Sequence, residues 1–315
     1  MNKQEIQLSV IVPVVTRYDD ILQLCADYRQ GLDDLSLPYE VVFVLDGPNE
    51  EVLGQLRELQ SEWANLEIVQ LARYFGEATA LMAGMEASSG SLILTLPAYF
   101  QVDPREFGKL FEAKRDNHMV IGRRWPRQGS AFEHFRRKLF HRTIERVTGQ
   151  RFRDLGCSVR LFDREVLEDI SLYGDQHRLL PVIAERNGFR ALEIDVAQSP
   201  LDQFEGSYSV RDYLGRMLDV FSVFFLVRFT KKPLRFFGAI GSLIFVVGAA
   251  AVMFLLFERI FNAQPLADRP ALLLSSLLVV LGIQIFGLGL LGELIIFTHA
   301  NTIKEYRIER IVGDE

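Results

Sequence analysis

Cysteine is nearly missing from this chain of 315 residues: Cys25 and Cys157 are its only two. So small a number excludes a disulfide framework and a cysteine-rich metal site, and it suits a reducing compartment. The five histidines, at 118, 134, 141, 177 and 299, never fall at metal-ligand spacing. No His-Glu-x-x-His, Walker loop or Gly-x-Ser-x-Gly occurs, which removes the common metallopeptidase, P-loop and serine-hydrolase readings. Met1 to Gln7 is polar and lacks the apolar core of a signal peptide, so the N-terminal part is expected to stay in the cytoplasm.

Charge is missing altogether from two long stretches. Phe236 to Phe257 and Ala271 to Gly292 are each 22 residues without an ionisable side chain. About 20 apolar residues cross the hydrocarbon core as a helix, so the pair is expected to form a transmembrane hairpin within 233–299. Arg228, Lys231, Lys232 and Arg235 precede the first run, and Lys304, Arg307 and Arg310 follow the second. The excess of cations outside the hairpin predicts both ends in the cytoplasm, with 300–315 as a cytoplasmic tail. Glu293 lies just past the second uncharged run, and a structural and a functional role are equally open for it.

The part before the spans, with 49% apolar residues in the whole chain, is long enough for one core. Strand-like runs at Leu8–Val15, Glu40–Asp46, Leu66–Ala72, Ser91–Leu96, Met119–Arg123 and Ala191–Val196 alternate with helix-length segments. This predicts an α/β domain over 1–207, built on a Rossmann-like, doubly wound, mostly parallel sheet. Ligands of such sheets bind beyond the carboxyl ends of the strands, which directs attention to 13–17, 46–49, 73–77 and 97–103. From 208 to 232, apolar Val210, Leu214, Met217, Phe221 and Phe224 recur at helical spacing among Arg211, Asp212, Arg216 and Asp219, the pattern of an amphipathic interfacial helix.

The chain has a net charge of −6, yet residues 123–153 hold ten Arg or Lys against Glu133 and Glu145. Two readings stand: a patch for an anionic membrane surface, or a pocket for a lipid phosphate, which arginine contacts in bidentate fashion. Sparse aromatic interleaving and the lack of a binding motif argue against nucleic acid.

Four segments resemble one family. Arg73-Tyr-Phe-Gly-Glu-Ala-Thr-Ala-Leu-Met-Ala-Gly84, Asp154-Leu-Gly-Cys-Ser-Val-Arg160, His177-Arg-Leu-Leu-Pro181 and Leu291-Gly-Glu293, with the paired spans, are similar to family 2 glycosyltransferases acting on polyisoprenyl phosphates. The resemblance implies a GT-A type fold and inverting transfer of a sugar from a nucleotide-sugar to undecaprenyl or another polyprenyl phosphate, in a multi-pass protein of the bacterial inner membrane. It implies Arg124, Arg127 and Arg137 as ligands of the acceptor phosphate. It places Pro13, Arg17, Asp46, Arg73 and Gln101 beside the nucleotide-sugar.

The chain departs from that family where a divalent metal is expected. The family's Asp-x-Asp motif reads Pro97-Ala98-Tyr99 here, so the carboxylates that would hold Mg²⁺ or Mn²⁺ are missing and no cofactor is predicted. Asp103 remains as a weak metal candidate, although Asp103-Pro104-Arg105-Glu106 also reads as a helix start with a capping box. The family's Pro-x-Tyr-Asn-Glu, Asp-Asp-Gly-Ser and Gly-x-Ser-Lys-Tyr segments appear as 13–17, 45–48 and 205–209 in altered form. Two functional readings follow: a transferase whose donor site uses Arg17 in place of a metal, or an inactive relative that binds polyprenyl phosphate or partners an active transferase or flippase. Gly238, Gly241, Gly248, Gly287 and Gly289 permit close helix contact and hence a homo-oligomer.

Overall fold

The computed structural model describes residues 6–126, 145, 152–170, 172, 176–202, 233–262 and 270–299. Arg127, Arg137, most of the basic stretch and the expected interfacial helix over 208–232 lie outside the described residues.

The N-terminal unit is built on a seven-stranded sheet. Strands β1 (Leu8–Val14) and β2 (Tyr39–Leu45) are buried at every position and, apart from Ser9 and Glu40, apolar, as suits central parallel strands whose two faces are covered by helices. Strand β3 (Leu66–Gln70) pairs with β2, and β4 (Leu92–Thr95) with β1, all parallel. Strands β5 (Met119–Arg124) and β7 (Ala191–Val196) are also parallel to each other. The sequence pattern missed one strand. β6 (Arg160–Asp163) is antiparallel to both β4 and β5, and it gives the order β3-β2-β1-β4-β6-β5-β7. Two reversals restore direction, so the carboxyl ends of β1 to β5 and of β7 open on one edge.

Helix starts on that edge are fixed by short polar side chains. Asp20 accepts hydrogen bonds from Leu22 N and Gln23 N to begin α1 (Ile21–Asp33), and Asn49 accepts from Val52 N to begin α2 (Glu50–Glu62). Helix α3 (Glu77–Ala87) follows Gly76, whose φ of 97° only glycine adopts without strain. It lies close on the sheet at Gly84, where a Cβ would sit 2.5 Å from Ile11 Cγ2. Helix α4 (Phe107–Lys114), α5 (Glu165–Asp169) and α6 (Leu180–Arg186) complete the described layers.

The second unit is a pair of helices, α7 (Pro233–Asn262) and α8 (Pro270–His299), each long and apolar enough to cross a membrane. Backbones touch at small residues: a Cβ on Gly241 would lie 2.7 Å from Gly282 O, and one on Gly282 would lie 2.6 Å from Phe245 N. Glu293 Oε2 accepts from Leu234 N at 3.3 Å and so serves an orphan donor in the first turn of α7.

Candidate functional site

At the carboxyl edge, the loops after β1 and β4 are laced together. Asp19 N donates to Ala98 O at 3.0 Å and Phe100 N donates to Asp19 Oδ2 at 2.9 Å. From below, the buried Tyr28 hydroxyl donates to Pro97 O at 2.8 Å. The loop Pro97–Phe100 is thereby held, with the Tyr99 ring turned toward the loop after β1. Burial, then the nearby charge of Glu77, pushes the Tyr99 phenol upward, so it stays neutral beside the cations of the site.

Arg17 lies over that ring, its guanidinium carbon 3.8 Å from the centroid, and donates to Asp202 Oδ1 at 3.1 Å. Face and edge are both fixed, while about a third of the side chain stays open to solvent (32%). Asp202 is itself buried, accepts from Gln198 Nε2 at 2.9 Å, and lies 3.8 Å from Arg124 Nη1. Sequence reasoning did not single out Asp202. It follows a Ser-Pro-Leu turn, and no motif accompanies it.

Arg124, which the resemblance implied as a ligand of the acceptor phosphate, is buried and paired within the domain. Its Nε and Nη2 donate to Asp154 Oδ2 and Oδ1 at 2.8 and 2.9 Å, and both side chains are almost wholly buried. Burial alone would depress Arg124, but the Asp154 carboxylate more than offsets it and holds the guanidinium charged. Asp154 N in turn donates to Glu193 Oε1 at 2.7 Å. This pair ties β5 to the loop before β6, and its charge is compensated within the protein.

The remaining expected donor-site residues are brought to the same edge with their polar groups engaged. Asp46 accepts from Phe75 N and Gly76 N, each at 2.8 Å, and so anchors the start of α3. Gln101 is buried; it accepts from Ser158 N at 2.7 Å and donates to Tyr99 Oη and Gly156 O. Arg73 is exposed, with its guanidinium carbon 5.0 Å from the Phe75 centroid. Asp103 accepts from Arg105 N and is gripped by the Arg105 side chain, the geometry of the helix-capping alternative.

Arg160 ends the Asp154–Arg160 segment and is fully buried. It donates to the carbonyls of Cys157, Leu155, His177 and Arg178, stapling that segment to 177–178. His177 Nε2 meets Glu77 Oε2 at 3.0 Å, while its Nδ1 is buried without a partner. Pro13, Glu77, Thr95, Ser158 and His177 border a cavity of about 10 Å³ beside it, room for about one water molecule. Burial would raise Glu77, but the His177 hydrogen bond and the adjacent arginines hold its carboxyl below the ordinary value.

These residues do not fit a divalent metal. Pro97, Ala98 and Tyr99 offer no carboxylate, Asp103 is occupied by Arg105, and among the described residues no three His, Cys, Asp or Glu side chains converge as ligands. Mg²⁺ requires hard oxygen ligands in near-octahedral array. Among the cations at this edge, Arg17 has about a third of its side chain (32%) open to solvent.

Comparison with known proteins agrees with this architecture. Residues 9–171 match the family described as Glycosyl transferase family 2. The undecaprenyl-phosphate 4-deoxy-4-formamido-L-arabinose transferase of Aeromonas hydrophila subsp. hydrophila is 29% identical over 99% of this chain and 96% of its own length. The protein of the same description from Klebsiella pneumoniae is 30% identical, covering 97% of this chain and 94% of that one. Among solved structures, mannosyl-3-phosphoglycerate synthase from Rubrobacter xylanophilus superposes with a TM-score of 0.53 at 16% identity, covering 71% of this chain and 74% of that one. That last likeness is one of fold.

Proposed function

This chain belongs to glycosyltransferase family 2, and we propose that it is a membrane-anchored transferase that moves a sugar from a nucleotide-sugar to a polyprenyl phosphate of the undecaprenyl type. One observation carries the reading: its likeness to undecaprenyl-phosphate sugar transferases runs through domain and spans alike, over 99% of the chain. The two candidate spans give the domain the anchor that a lipid acceptor needs. The excess of cations outside the hairpin supports both ends in the cytoplasm, with the loop from Glu258 to Pro270 on the far side.

In this reading an oxygen of the lipid phosphate attacks the anomeric carbon, the bond to the nucleoside diphosphate breaks, and the configuration inverts. The phosphate nucleophile is already ionised at neutral pH, so no general base is required. What the protein supplies is position and compensation for the charge growing on the departing diphosphate. Arg17 is the residue suited to the second task, because Tyr99 and Asp202 fix it while about a third of its side chain (32%) meets solvent. Arg124 acts through others: paired with Asp154 and close to Asp202, it is a positioning residue, and contact with the acceptor phosphate falls to Arg127 and Arg137. Asp46 and Gln101 shape the loops that a nucleotide would enter, and Arg73 borders them.

The test is transfer from UDP-sugars to undecaprenyl phosphate by the purified full chain, with and without EDTA, alongside titration with UDP. Turnover that survives EDTA is the expected result. Binding of polyprenyl phosphate with no nucleotide binding and no transfer would overturn it in favour of an inactive, lipid-binding relative.

A further inference from the structure

His177 is 4% exposed, and its two ring nitrogens are served unequally. Nε2 lies 3.0 Å from Glu77 Oε2, whereas Nδ1 is buried with no hydrogen-bond partner. Arg178 Nε also approaches Nε2, at 3.4 Å, and so leaves Nδ1 unserved. The shorter contact decides the tautomer. His177 and the neighbouring arginines favour the ionised form of Glu77 against the effect of burial, so the carboxylate accepts and Nε2 carries a hydrogen. Nδ1 is then an acceptor in the neutral ring and a donor in the charged one, and either needs a mate.

The ring borders the cavity of about 10 Å³, whose lining also includes Glu77, Thr95 and Ser158. One water fills such a volume when polar groups are there to hold it. Thr95 Oγ1 gives its hydrogen to Ser158 O at 2.7 Å and keeps its lone pairs, while the Ser158 hydroxyl both donates and accepts. Ser158 also leads outward. Its N donates to Gln101 Oε1 at 2.7 Å, Gln101 Nε2 donates to Tyr99 Oη at 3.1 Å, and the Ser158 side chain adjoins the same phenol. Tyr99 carries Arg17 on its face at 3.8 Å. Polar contacts thus run from Arg17 through Tyr99, Gln101 and Ser158 as far as the cavity, and resume at His177 and Glu77.

We infer that the cavity is a hydration site whose single water joins His177 Nδ1 to Ser158 and Thr95, making His177 and Glu77 positioning residues for the Tyr99–Arg17 pair. The hydration site stands on the buried nitrogen and the cavity. The effect on turnover rests on the transferase reading and on the role given there to Arg17.

Two measurements on the full chain test these separately. A high-resolution crystal structure is expected to show one water within hydrogen-bonding distance of His177 Nδ1 and of Ser158 or Thr95, whether or not sugar is transferred. An empty cavity, or a protein group turned onto Nδ1, would overturn the proposal. Kinetics of two amide variants then tests positioning. His177→Asn puts its amide where Nδ1 was and abandons Glu77, whereas His177→Gln reaches Glu77 from the place of Nε2 and abandons the water. With a UDP-sugar and undecaprenyl phosphate, kcat is expected within about twofold of the unaltered chain for His177→Asn and lower by about tenfold for His177→Gln, with KM little changed in both. The reverse order, or equal loss, would mean that His177 only braces Glu77, and positioning through the water would fall. Thermal melts report whether the two variants fold; if they do not, Ser158→Ala, a smaller change, is expected to show the same loss of kcat, and unchanged kcat there would overturn the proposal. If the unaltered chain transfers no sugar, the transferase reading fails and the density at Nδ1 alone decides the hydration site.

Discussion

Arg17 and Asp202 are joined at 3.1 Å across 185 positions of sequence. The contact binds the first loop of the sheet to the last described residue before the segment that leads to the spans. Because Asp202 also lies near Arg124, the part-exposed Arg17 and the buried Arg124–Asp154 pair share a carboxylate neighbour.

Arg17→Ala is therefore expected to lower kcat/KM by about 10² to 10³, the usual cost of losing one charge-stabilising donor. Arg17→Lys should recover only part of this, since a single ammonium cannot both stack on Tyr99 and fork toward a diphosphate. Steady-state kinetics with a UDP-sugar check it; unchanged kinetics in both variants would remove Arg17 from the reaction.

Chelation should have little effect on turnover. A rate in EDTA within about twofold of the untreated rate is expected, as against the several kcal/mol that a catalytic metal would contribute. Restoration of an EDTA-silenced enzyme by Mn²⁺ would show that ligands from elsewhere complete a metal site.

Breaking the Arg124–Asp154 pair from one side should destabilise the domain by about 3 to 5 kcal/mol, because the surviving charge is left buried and uncompensated. Arg124→Met combined with Asp154→Leu should cost less than either single change with the charge retained. Chemical unfolding of the three variants measures the difference.

Burial pushes the Cys25 thiol up to about 12 and the Cys157 thiol up to about 11. At pH 8 both should resist maleimide in the folded protein, reacting at least about 10²-fold faster once unfolded. Rapid alkylation of native Cys157 would contradict its burial.

Glu77 is held below its ordinary carboxyl value mainly by His177, against the effect of burial. Its contribution to stability is thus complete above the unfolded value near 4.5 and is lost as pH falls through the lower, folded value. Glu77→Gln should flatten the acid limb of the stability curve below about pH 4.5 and leave its slope at pH 7 unchanged, as followed by thermal melts across pH.

The parallel core and the spans were legible in the sequence because each imposes a pattern: short, mostly apolar runs rich in Val, Ile and Leu where strands are covered on both faces, and long uncharged runs where water is absent. β6 was not legible. Arg160-Leu-Phe-Asp163 is four residues long, charged at both ends, and begins inside a motif that drew attention for other reasons. The site was legible as an edge, since the loops after parallel strands converge there, but the partners of its residues were not. Glu193 and Asp202 become significant, and the motif residue Asp154 finds its partners, only when β5, β7 and the loop before β6 are brought together from distant positions. Arg124 shows the converse: its motif drew attention to it, while its burial beside Asp154 could not be read from the sequence.

β6 also sets the order in which the domain can be completed. Until residues 160–163 have emerged, β4 and β5 each present an unpaired margin, and neither can be satisfied by the other in the native order. The sheet closes by intercalation of this late, short strand, with Arg160 locking it to the carbonyls at 177 and 178. A ribosome-stalled or truncated chain ending before 160 is thus a four-stranded sheet with an open margin at β4 and a β5 that has neither of its partners, the kind of intermediate that seeks strands from its neighbours.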